Sequence, residues 1–536
     1  MGGSINFVGV DVGTASTRAG VFDQSGNCLG TGKHEIEVFR DMPYMAEQSS
    51  ANIWHSVSSS VRSAVAQAGV SPQSIAGVGF DATCSLVVLG EGGTSLAIGP
   101  SEESARDIIL WMDHRAVAQA ERINAQGHSI LQYVGGRISP EMETPKLLWL
   151  KENRPETFAA AWQFFDLADF LTWRATDDPT RSTCTLTCKW TYLAHEQRWD
   201  PSYFRQIGLG ELADENFARL GETIVEPGTP IGGGLTEQAA AELGLQPGTP
   251  VSAGMIDAHA GGLGTVGVGG KPENNLSYVF GTSSCTLTSN ASPRFIKGVW
   301  GPFYSAMVPG LWLNEGGQSA AGAGIDQLIS FHPAFARANE RARGFGVPLP
   351  VMLADLAAGK VGAASDAVLL ARGLHVVPEF LGNRAPFADP AARAAIAGLG
   401  MEDDLDNLVA LYVAGLCGIG YGLRQIIEAQ TAAGACTQQI IISGGAGRHD
   451  LVRQILSDAT NVPVVAPETS EPVLLGSALL GATACRAFTD LKQAMAAMSR
   501  AGRLYEPAAG QIRYIHENRY QAFCTMQAYG RDIRNF

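Results

Sequence analysis

Two short loops in this 536-residue chain have residue types and spacing that could hold a polyphosphate. Residues 11–14 (DVGT) and 281–284 (GTSS) each stand between two strand-like segments, half a chain length apart. Backbone N–H groups of a tight glycine turn form a concave anion site, and Thr14 and Ser16 add hydroxyl donors. Asp11 could hold a hydrated Mg²⁺ against the phosphates, because Mg²⁺ prefers carboxylate and phosphate oxygens. Either loop alone fits a simple hairpin, but the pair could grip one polyphosphate from opposite domains.

A third segment, residues 442–459 (ISGGAGRHDLVRQILSDA), predicts a strand, a glycine turn and a helix. Gly444 and Gly445 would let the backbone approach a flat ligand closely, because glycine has no side chain in the way. The helix that follows could carry Arg448 beside that ligand. The alternative is an ordinary strand-to-helix turn packed by glycines, and the order of the three segments favours the ligand site.

The strands that position these loops recur along the chain. Residues 5–30 predict a strand, a Gly-Thr turn and two further strands, and residues 274–290 repeat the strand, Gly-Thr-Ser turn and strand. This recurrence suggests two related α/β domains that face one cleft. We expect the boundary within 262–275 and assign the domains to 1–268 and 269–536.

Three other segments have clear local signals. Residues 51–69 predict a helix, and residues 73–90 predict a strand, a loop and a strand. Residues 235–245 (LTEQAAAELGL) predict a short helix with Thr236 as its N-cap.

The composition excludes several classes of protein. Hydrophobic residues make up 46% and charged residues 17% of the chain, and the net charge is −14. Such a chain can bury large cores and is not disordered, and its scattered basic residues disfavour binding to nucleic acid or to an anionic membrane. The uncharged run 408–423 is shorter than the roughly 20 residues of a membrane span, which favours a buried helix. The nine cysteines show no disulfide framework, which predicts reduced thiols in a cytoplasmic protein.

Two common nucleotide motifs do not fit. The pair Gly270-Lys271 is followed by a proline and lacks the earlier glycine of a Walker loop. A G-x-G-x-x-G occurs at Gly262, Gly264 and Gly267, but a proline-containing polar stretch follows it where a helix should begin. We therefore interpret the glycine-rich stretch 262–270 as a hinge.

The three loop segments together resemble the nucleotide clamp of the actin-like ATPases, and nearly the whole chain resembles the FGGY carbohydrate kinases. The glycine-rich segment 252–264 (SAGMIDAHAGGLG) is similar to that family's catalytic segment, and 79–89 and 111–116 (WMDHRA) are similar to its sugar-side segments. Residues 313–326 (LNEGGQSAAGAGID) and the GGAG turn complete the set. The resemblance implies two actin-like (ribonuclease H-like) α/β domains around a central cleft for ATP and sugar.

The resemblance also implies roles for individual residues. Asp257 would be the general base, and Asp11 and Asp257 would hold Mg²⁺. The nucleotide would contact Gly13, Thr14, Ser16, Thr17, Arg18, Gly281, Thr282, Ser283, Gly444, Gly445, Ala446 and Arg448. The sugar would contact Ala82, Thr83, Asp113, Lys189, Asp257 and Glu315.

Some of these residues also have ordinary structural interpretations. Asp113 adjoins Arg115 and could form a structural ion pair, and Lys189 lies in a strand-like run, where an exposed lysine is common. His114 and His259 could be acid–base groups, but the implied mechanism needs neither, and we interpret them as structural.

Within the family, 111–116, 187–192 (TCKWTY) and 314–326 look most like the pentulose kinases. Residues 81–84 (DATC) lack the Arg-Glu pair of glycerol kinases and the Met-His of xylulokinases. The resemblance therefore implies an ATP-dependent kinase of D-ribulose, with L-ribulose, ribitol and D-xylulose as alternatives. An actin-like ATPase or a sugar-binding regulator without kinase activity is the alternative from another class. The resemblance also implies a homodimer, which is the common state in this family.

Overall fold

The computed structural model describes residues 5–535 and confirms the mixed α/β class. The outer ends of the two predicted domains, residues 1 and 536, lie outside the described residues.

From residue 5 on, the first half contains twelve strands and ten α-helices. Its strands are Asn6–Val12 (β1), Ser16–Asp23 (β2), Cys28–Glu35 (β3), Glu47–Gln48 (β4), Ile75–Ala82 (β5), Leu86–Gly90 (β6), Thr94–Ser95 (β7), Ile108–Ile109 (β8), Gln163–Asp166 (β9), Arg181–Ser182 (β10), Ile224–Val225 (β11) and Met255–Ile256 (β12). Its helices are Ser50–Ala68 (α1), Val117–Gln126 (α2), Glu143–Asn153 (α3), Pro155–Ala160 (α4), Leu167–Thr176 (α5), Thr183–Lys189 (α6), Pro201–Ile207 (α7), Gly210–Asp214 (α8), Glu237–Leu243 (α9) and Asp257–Val266 (α10).

The second half contains nine strands and eight α-helices among the described residues. Its strands are Asn275–Phe280 (β13), Ser284–Asn290 (β14), Trp300–Tyr304 (β15), Trp312–Gln318 (β16), His375–Val377 (β17), Ala395–Ala397 (β18), Gln439–Ser443 (β19), Val464–Pro467 (β20) and Ala501–Tyr505 (β21). Its helices are Gly322–Ser330 (α11), Phe335–Gly344 (α12), Leu349–Gly359 (α13), Leu405–Ala432 (α14), Asp450–Thr460 (α15), Pro472–Ala484 (α16), Leu491–Met498 (α17) and Gly510–Asp532 (α18).

The two largest sheets share one strand pattern. In the first sheet β12, β5, β1, β2 and β3 lie side by side, and in the second the corresponding order is β20, β19, β13, β14 and β16. In both sheets the opening hairpin is antiparallel, while the two strands on its other side run parallel to its first strand. The recurrence in the sequence therefore corresponds to a repeated sheet.

Several local predictions are confirmed. Helix α1 begins after Ser49, whose side chain accepts from the backbone N–H of Asn52, and ends at Gly69 in the left-handed conformation. Thr236 caps α9 by accepting from the N–H of Ala239. Residues 73–90 form β5, a loop and β6, as expected.

Helices α10 and α16 connect the two halves. Helix α16 comes from the second half but packs on β1 and β5, while α10 comes from the first half and packs on β13 of the second sheet. A methyl group at Gly79 would overlap the carbonyl oxygen of Ser477, and one at Gly476 would overlap that of Ala260. The absence of side chains at these glycines lets α16 lie directly on the first sheet and on α10.

The glycine-rich stretch 262–270 differs from the predicted hinge. Residues up to Val266 belong to α10, and Gly264 faces the backbone of Pro472 in α16. The glycines up to Gly267 serve close packing, since a Cβ at Gly264 or Gly267 would overlap Pro472 or Met495, whereas Gly269 and Gly270 lie beyond the helix with positive φ. The hinge stays a prediction only for the end of the stretch.

Helix α14 is a buried core helix, as predicted for 408–423. It is apolar and long enough to cross a membrane by length and composition, but 72% of its most apolar window is buried inside the fold. Its N-terminus is capped by Asp404, which accepts from the N–H of Asn407.

Candidate active site

The first phosphate loop is a tight turn between β1 and β2. The N–H of Gly13 donates to the carbonyl of Ser16 at 3.1 Å. Trp111 holds the Thr14 hydroxyl through its indole N–H at 3.0 Å, and Gln48 donates to the Thr14 carbonyl at 2.8 Å. These contacts fix the turn before any ligand binds, which is the preorganisation that an anion site needs.

The second phosphate loop joins β13 and β14 at the corresponding place in the second sheet. The N–H of Gly281 donates to the carbonyl of Ser283 at 3.0 Å, and Thr282 and Ser283 are exposed. The carbonyl of Thr282 accepts from Ala321 and Ala323 at the start of α11, both at 3.0 Å. The loop is therefore anchored by its carbonyl and leaves both hydroxyls open to a ligand.

The GGAG turn borders a separate cavity of about 390 Å³ in the second half. The turn follows β19 and precedes α15, as the sequence predicts. The cavity is largely apolar, and its lining includes Phe280, Tyr412, Ala446 and Arg448. A flat heterocycle bound here could extend its phosphates toward Gly281, because Gly322 both lines the cavity and donates to the Gly281 carbonyl at 2.9 Å.

Thr17 is not a nucleotide contact in the structure. It is fully buried, and its hydroxyl lies 2.7 Å from that of Ser60 in α1. Side chains alternate along a strand, so Ser16 and Arg18 point to the cleft and Thr17 points away from it. The prediction for Thr17 is therefore wrong.

Arg18 lies in the cleft but is already paired. Its Nε donates to Asp11 at 2.9 Å, and its Nη1 lies 2.8 Å from the Glu471 carboxylate, just before α16. Burial works against its charge, but the Asp11 carboxylate raises the pKa of Arg18 above its ordinary value. Arg18 thus ties the first phosphate loop to the second half of the chain.

Asp257 is the first residue of α10, directly after the short parallel strand β12. Its Oδ1 accepts from the N–H of Ala258 at 2.7 Å. Burial, followed by the negative charge of Asp11, raises the pKa of Asp257 to about 6. A cavity of about 360 Å³ connects it with Asp11, Ser16 and, from the second half, Cys285.

Three carboxylates stand at the ends of three parallel strands. Asp11 and Asp81 are register partners in β1 and β5, and β12 next to them leads into Asp257. Burial and the Asp11 charge raise the pKa of Asp81 well above its ordinary value. One oxygen of Asp81 accepts from Ser477, and the other is buried without a partner among the described residues.

These carboxylates fit a hydrated Mg²⁺, although no group of three His, Cys, Asp or Glu side chains within residues 5–535 forms a ready-made metal cage. Mg²⁺ usually keeps several waters and takes one or two carboxylates plus substrate phosphates. Asp11 and Asp257 line one cavity beside the first phosphate loop, which is the donor set that such an ion uses.

Glu315, in β16, is the centre of the predicted sugar side. Its Oε1 accepts from Arg384 at 3.2 Å, and its Oε2 lies 3.4 Å from Nε2 of His259. Burial alone would raise the pKa of Glu315, but the hydrogen bond from His259 and the charge of Lys189 lower it to about 2. Glu315 is therefore ionised at neutral pH and can accept hydrogen bonds from hydroxyl groups.

Lys189 is the last residue of α6, and the interpretation of this run as strand-like and of the lysine as exposed is wrong. Its Nζ lies 5.4 Å from the centre of the Trp300 ring, which also contacts Arg384. Burial works against its charge, but the acidic groups of Cys84 and Glu315 raise the pKa of Lys189 above its ordinary value. A buried cation thus lies on the sugar side.

His259 lies between Glu315 and a buried cysteine. Its Nδ1 is 3.2 Å from Sγ of Cys184, and both residues are buried. Burial would lower the pKa of His259, but Cys184 and Glu315 raise it to about 9. Asp257 experiences the positive charges of His259 and Lys189, which places this group of side chains beside the predicted base.

Asp113 does not reach the sugar side as a free acceptor. It is fully buried, its Oδ1 accepts from the N–H and Nε of Arg115, and its Oδ2 accepts from Arg115 and from the N–H of Ala46. Because both oxygens are saturated by protein donors, the structure supports the alternative interpretation of a structural ion pair and contradicts the sugar contact.

Ala82 and Thr83 end β5 next to the base. Ala82 is the register partner of Val12 in β1 and of Ile256 in β12, and the N–H of Thr83 donates to the Val12 carbonyl at 3.0 Å. The Thr83 hydroxyl lies 3.3 Å from that of Ser85. Both residues therefore border the strand ends that carry Asp257.

Sequence reasoning missed Arg384 and gave His259 no role at the site. His259 could have been found, because it stands two residues after Asp257 in the same motif. Arg384 precedes β18 in an irregular segment without hydrophobic periodicity, so no local pattern connects it with Glu315.

Comparison with known families gives matches over most of the chain. Residues 6–264 match the N-terminal domain of the FGGY family of carbohydrate kinases, and residues 276–485 match the C-terminal domain of that family.

Individual relatives extend over nearly the full length. An FGGY carbohydrate kinase domain-containing protein of Homo sapiens is 42% identical, over 97% of this chain and 96% of the relative. The D-ribulokinase of Saccharomyces cerevisiae is 38% identical, over 90% of this chain and 72% of its own. Among solved structures, the xylulose kinase of Rhodospirillum rubrum has a TM-score of 0.81 at 22% identity, over 99% of this chain and 100% of its own.

Proposed function

The chain belongs to the FGGY family of carbohydrate kinases, with their two-domain actin-like fold, and we propose that its sugar is D-ribulose, which it converts to D-ribulose 5-phosphate. As a member of this family it transfers phosphate from ATP to a sugar. The observation that supports phosphate transfer to a sugar is the position of Asp257, which lines the cavity at the first phosphate loop and experiences the charges of His259 and Lys189 on the sugar side.

Asp257 would act as the general base. A primary hydroxyl is a poor nucleophile, so its proton must be accepted as the oxygen attacks the γ-phosphorus of ATP. Such proton transfer typically contributes about 10²–10⁴-fold to the rate. The raised pKa of Asp257, about 6, makes its carboxylate more basic than an ordinary aspartate and still ionised at neutral pH.

Binding and orientation would come from the surrounding side chains. Lys189 would donate to the keto oxygen or to a hydroxyl of the sugar, and Glu315 would accept from hydroxyls. The N–H groups and hydroxyls of the two phosphate loops would hold the polyphosphate between the two halves. Bound Mg²⁺, held by Asp11 and Asp257, would neutralise charge on the phosphates.

Water competes with the sugar for the γ-phosphoryl group, so the site must exclude it. The two phosphate loops lie on opposite halves of the chain, and movement of one half toward the other would close the cleft over both substrates.

The choice of D-ribulose rests on two observations. The relative named D-ribulokinase is 38% identical over 90% of this chain. The sugar-side loop has Asp81-Ala82-Thr83-Cys84 where glycerol kinases carry an Arg-Glu pair, which disfavours glycerol as the substrate. L-ribulose, ribitol and D-xylulose are the competing substrates.

A coupled assay of ADP release with MgATP tests the proposal on D-ribulose, L-ribulose, D-xylulose, ribitol and glycerol. We expect the highest kcat/KM with D-ribulose, and a phosphate on the primary hydroxyl of the product by NMR. A higher kcat/KM with any other sugar would replace D-ribulose. A rate of ADP release that does not change when any of these sugars is added would favour an actin-like ATPase without sugar kinase activity instead.

The pH profile should report the base directly. Only ionised Asp257 can accept the proton, and its pKa is raised to about 6, so kcat/KM for the sugar should fall as the pH decreases through that value. The fall should approach about tenfold per pH unit on the acid side. A plateau that extends unchanged to pH values near an ordinary aspartate pKa would contradict the assignment.

A further inference from the structure

Behind the Glu315 carboxylate runs a chain of buried contacts that the mechanism does not use. Sγ of Cys184 lies 3.2 Å from Nδ1 of His259, and Nε2 of His259 lies 3.4 Å from Oε2 of Glu315. Cys184 is fully buried and His259 is only 1% exposed. The three residues come from α6, α10 and β16, so this series of contacts joins the first half of the polypeptide to the second.

We propose that His259 is a positioning residue for sugar binding. Cys184 orients the His259 ring, and His259 in turn fixes the Glu315 carboxylate toward the sugar. The inference rests on the proposed function in one respect, namely that Glu315 accepts from the substrate. It goes beyond that function because it assigns roles to Cys184 and His259, which the proposed mechanism does not use.

The geometry around Glu315 explains why a second donor is needed. Arg384 donates to Oε1 at 3.2 Å, and His259 donates from the other side to Oε2. A carboxylate with a donor on each oxygen cannot rotate, yet it keeps lone pairs for further hydrogen bonds, because two oxygens offer about four acceptor sites. The sugar hydroxyls then meet an acceptor that is already oriented.

Cys184 supplies the matching constraint on the imidazole ring. A histidine ring that is bound at both nitrogens has a defined orientation. Sγ of Cys184 is itself held, because the N–H of Ile256 donates to it at 3.4 Å and Ser182 caps the start of α6. Ile256 directly precedes Asp257, so the thiol connects the ring to the strand end that carries the base.

The position of His259 in α10 couples sugar orientation to the base. Asp257 and His259 occupy the first turn of one helix, two residues apart, and therefore point in different directions. Asp257 faces the cavity with the first phosphate loop, and His259 faces Glu315. One rigid helix end thus sets the position of the base relative to the sugar acceptor.

Two substitutions of His259 separate its two contacts. His259→Asn keeps a polar atom near the Nδ1 position but removes the donor to Glu315, while His259→Gln keeps a donor near the Nε2 position. We expect His259→Asn to raise the sugar KM by about ten- to a hundredfold, the effect of losing a hydrogen bond to a charged group. The KM for ATP should not change, and His259→Gln should recover most of the loss.

Cys184 is tested in the same way with Cys184→Ser and Cys184→Ala. Serine keeps a hydrogen-bonding atom for Nδ1 and alanine removes it, so alanine should raise the sugar KM by about two- to tenfold and serine by less. Equal effects of serine and alanine, or of His259→Asn and His259→Gln, would overturn the proposal in favour of simple packing. A parallel rise in the KM for ATP would overturn it as well.

A second readout is independent of the sugar. In protein labelled with ¹⁵N-histidine, the Nε2 proton of His259 should be protected from exchange, and its resonance should shift in Glu315→Gln. An Nε2 proton that exchanges as fast as that of exposed His55 would refute the contact.

If the wild-type protein prefers another sugar, the proposed substrate fails, and the variants are assayed on that sugar. If no sugar is phosphorylated, the proton signal alone decides whether His259 holds Glu315.

Discussion

Replacing Asp257 with asparagine is expected to reduce kcat for sugar phosphorylation by about two to four orders of magnitude, the usual contribution of a general base. The amide has the size and shape of the carboxylate, and its oxygen can still accept from the N–H of Ala258. It cannot accept the proton of the attacking hydroxyl. Coupled ADP release at saturating MgATP and sugar measures the loss.

Two measurements make this result specific. The dissociation constants for the sugar and for ATP without Mg²⁺ should stay close to the wild-type values, because asparagine keeps the size and an acceptor oxygen of the side chain. MgATP should bind more weakly, because Asp257 is also a proposed Mg²⁺ ligand. Asp214→Asn serves as the matched control, since Asp214 pairs with Arg205 on the surface. A kcat in Asp257→Asn similar to that of the control would assign the base to another group.

Replacing Asp113 with alanine should lower the free energy of unfolding by about 3–5 kcal/mol, the cost of removing one partner from a buried ion pair. The change leaves the buried Arg115 guanidinium with Glu47 as its remaining carboxylate, at 2.8 Å. It also leaves the N–H of Ala46 without its acceptor. Urea unfolding followed by circular dichroism measures the difference.

A surface pair provides the control for that prediction. Asp41 pairs with Arg106 at 2.6 Å, but its side chain is 60% exposed. Asp41→Ala should therefore cost less than about 1 kcal/mol. If Asp113→Ala instead raised the sugar KM without loss of stability, Asp113 would be a sugar contact after all, and the structural interpretation would fall.

The positions of the phosphate loops and of Asp257 could be predicted because their signals are local. A glycine turn between two apolar strands specifies a hairpin, and the strand length places the loop at one edge of the sheet. The repeated loop in 281–284 then predicted a repeated sheet, which the matching strand orders confirm. Each of these inferences uses only residues that are neighbours in the chain.

The wrong assignments have physical causes that can be named. Thr17 was included with Ser16 and Arg18, although the alternation of side chains along β2 places it on the opposite face. Lys189 lies in TCKWTY, whose β-branched and aromatic residues favour a strand, but the Ser182 cap and the surrounding core stabilise a helix there. Tertiary contacts outweighed propensity in that segment.

Other features could not be predicted because they depend on distant pairs. Arg384 and Glu315 are 69 residues apart, and Cys184 and His259 are 75 apart. The crossing of α10 and α16 likewise joins residues more than two hundred positions apart. A single sequence shows which of these residues carry charge or sulfur, but not which of them meet.

Helix α16 imposes an order on biosynthesis. The face of the first sheet that contains Gly79 also carries Phe7 and Phe22, and it is covered by residues 472–484. While the chain is being translated, that face stays open to water until nearly nine-tenths of the polypeptide has emerged from the ribosome. The N-terminal sheet therefore completes its burial only after most of the second half has been made.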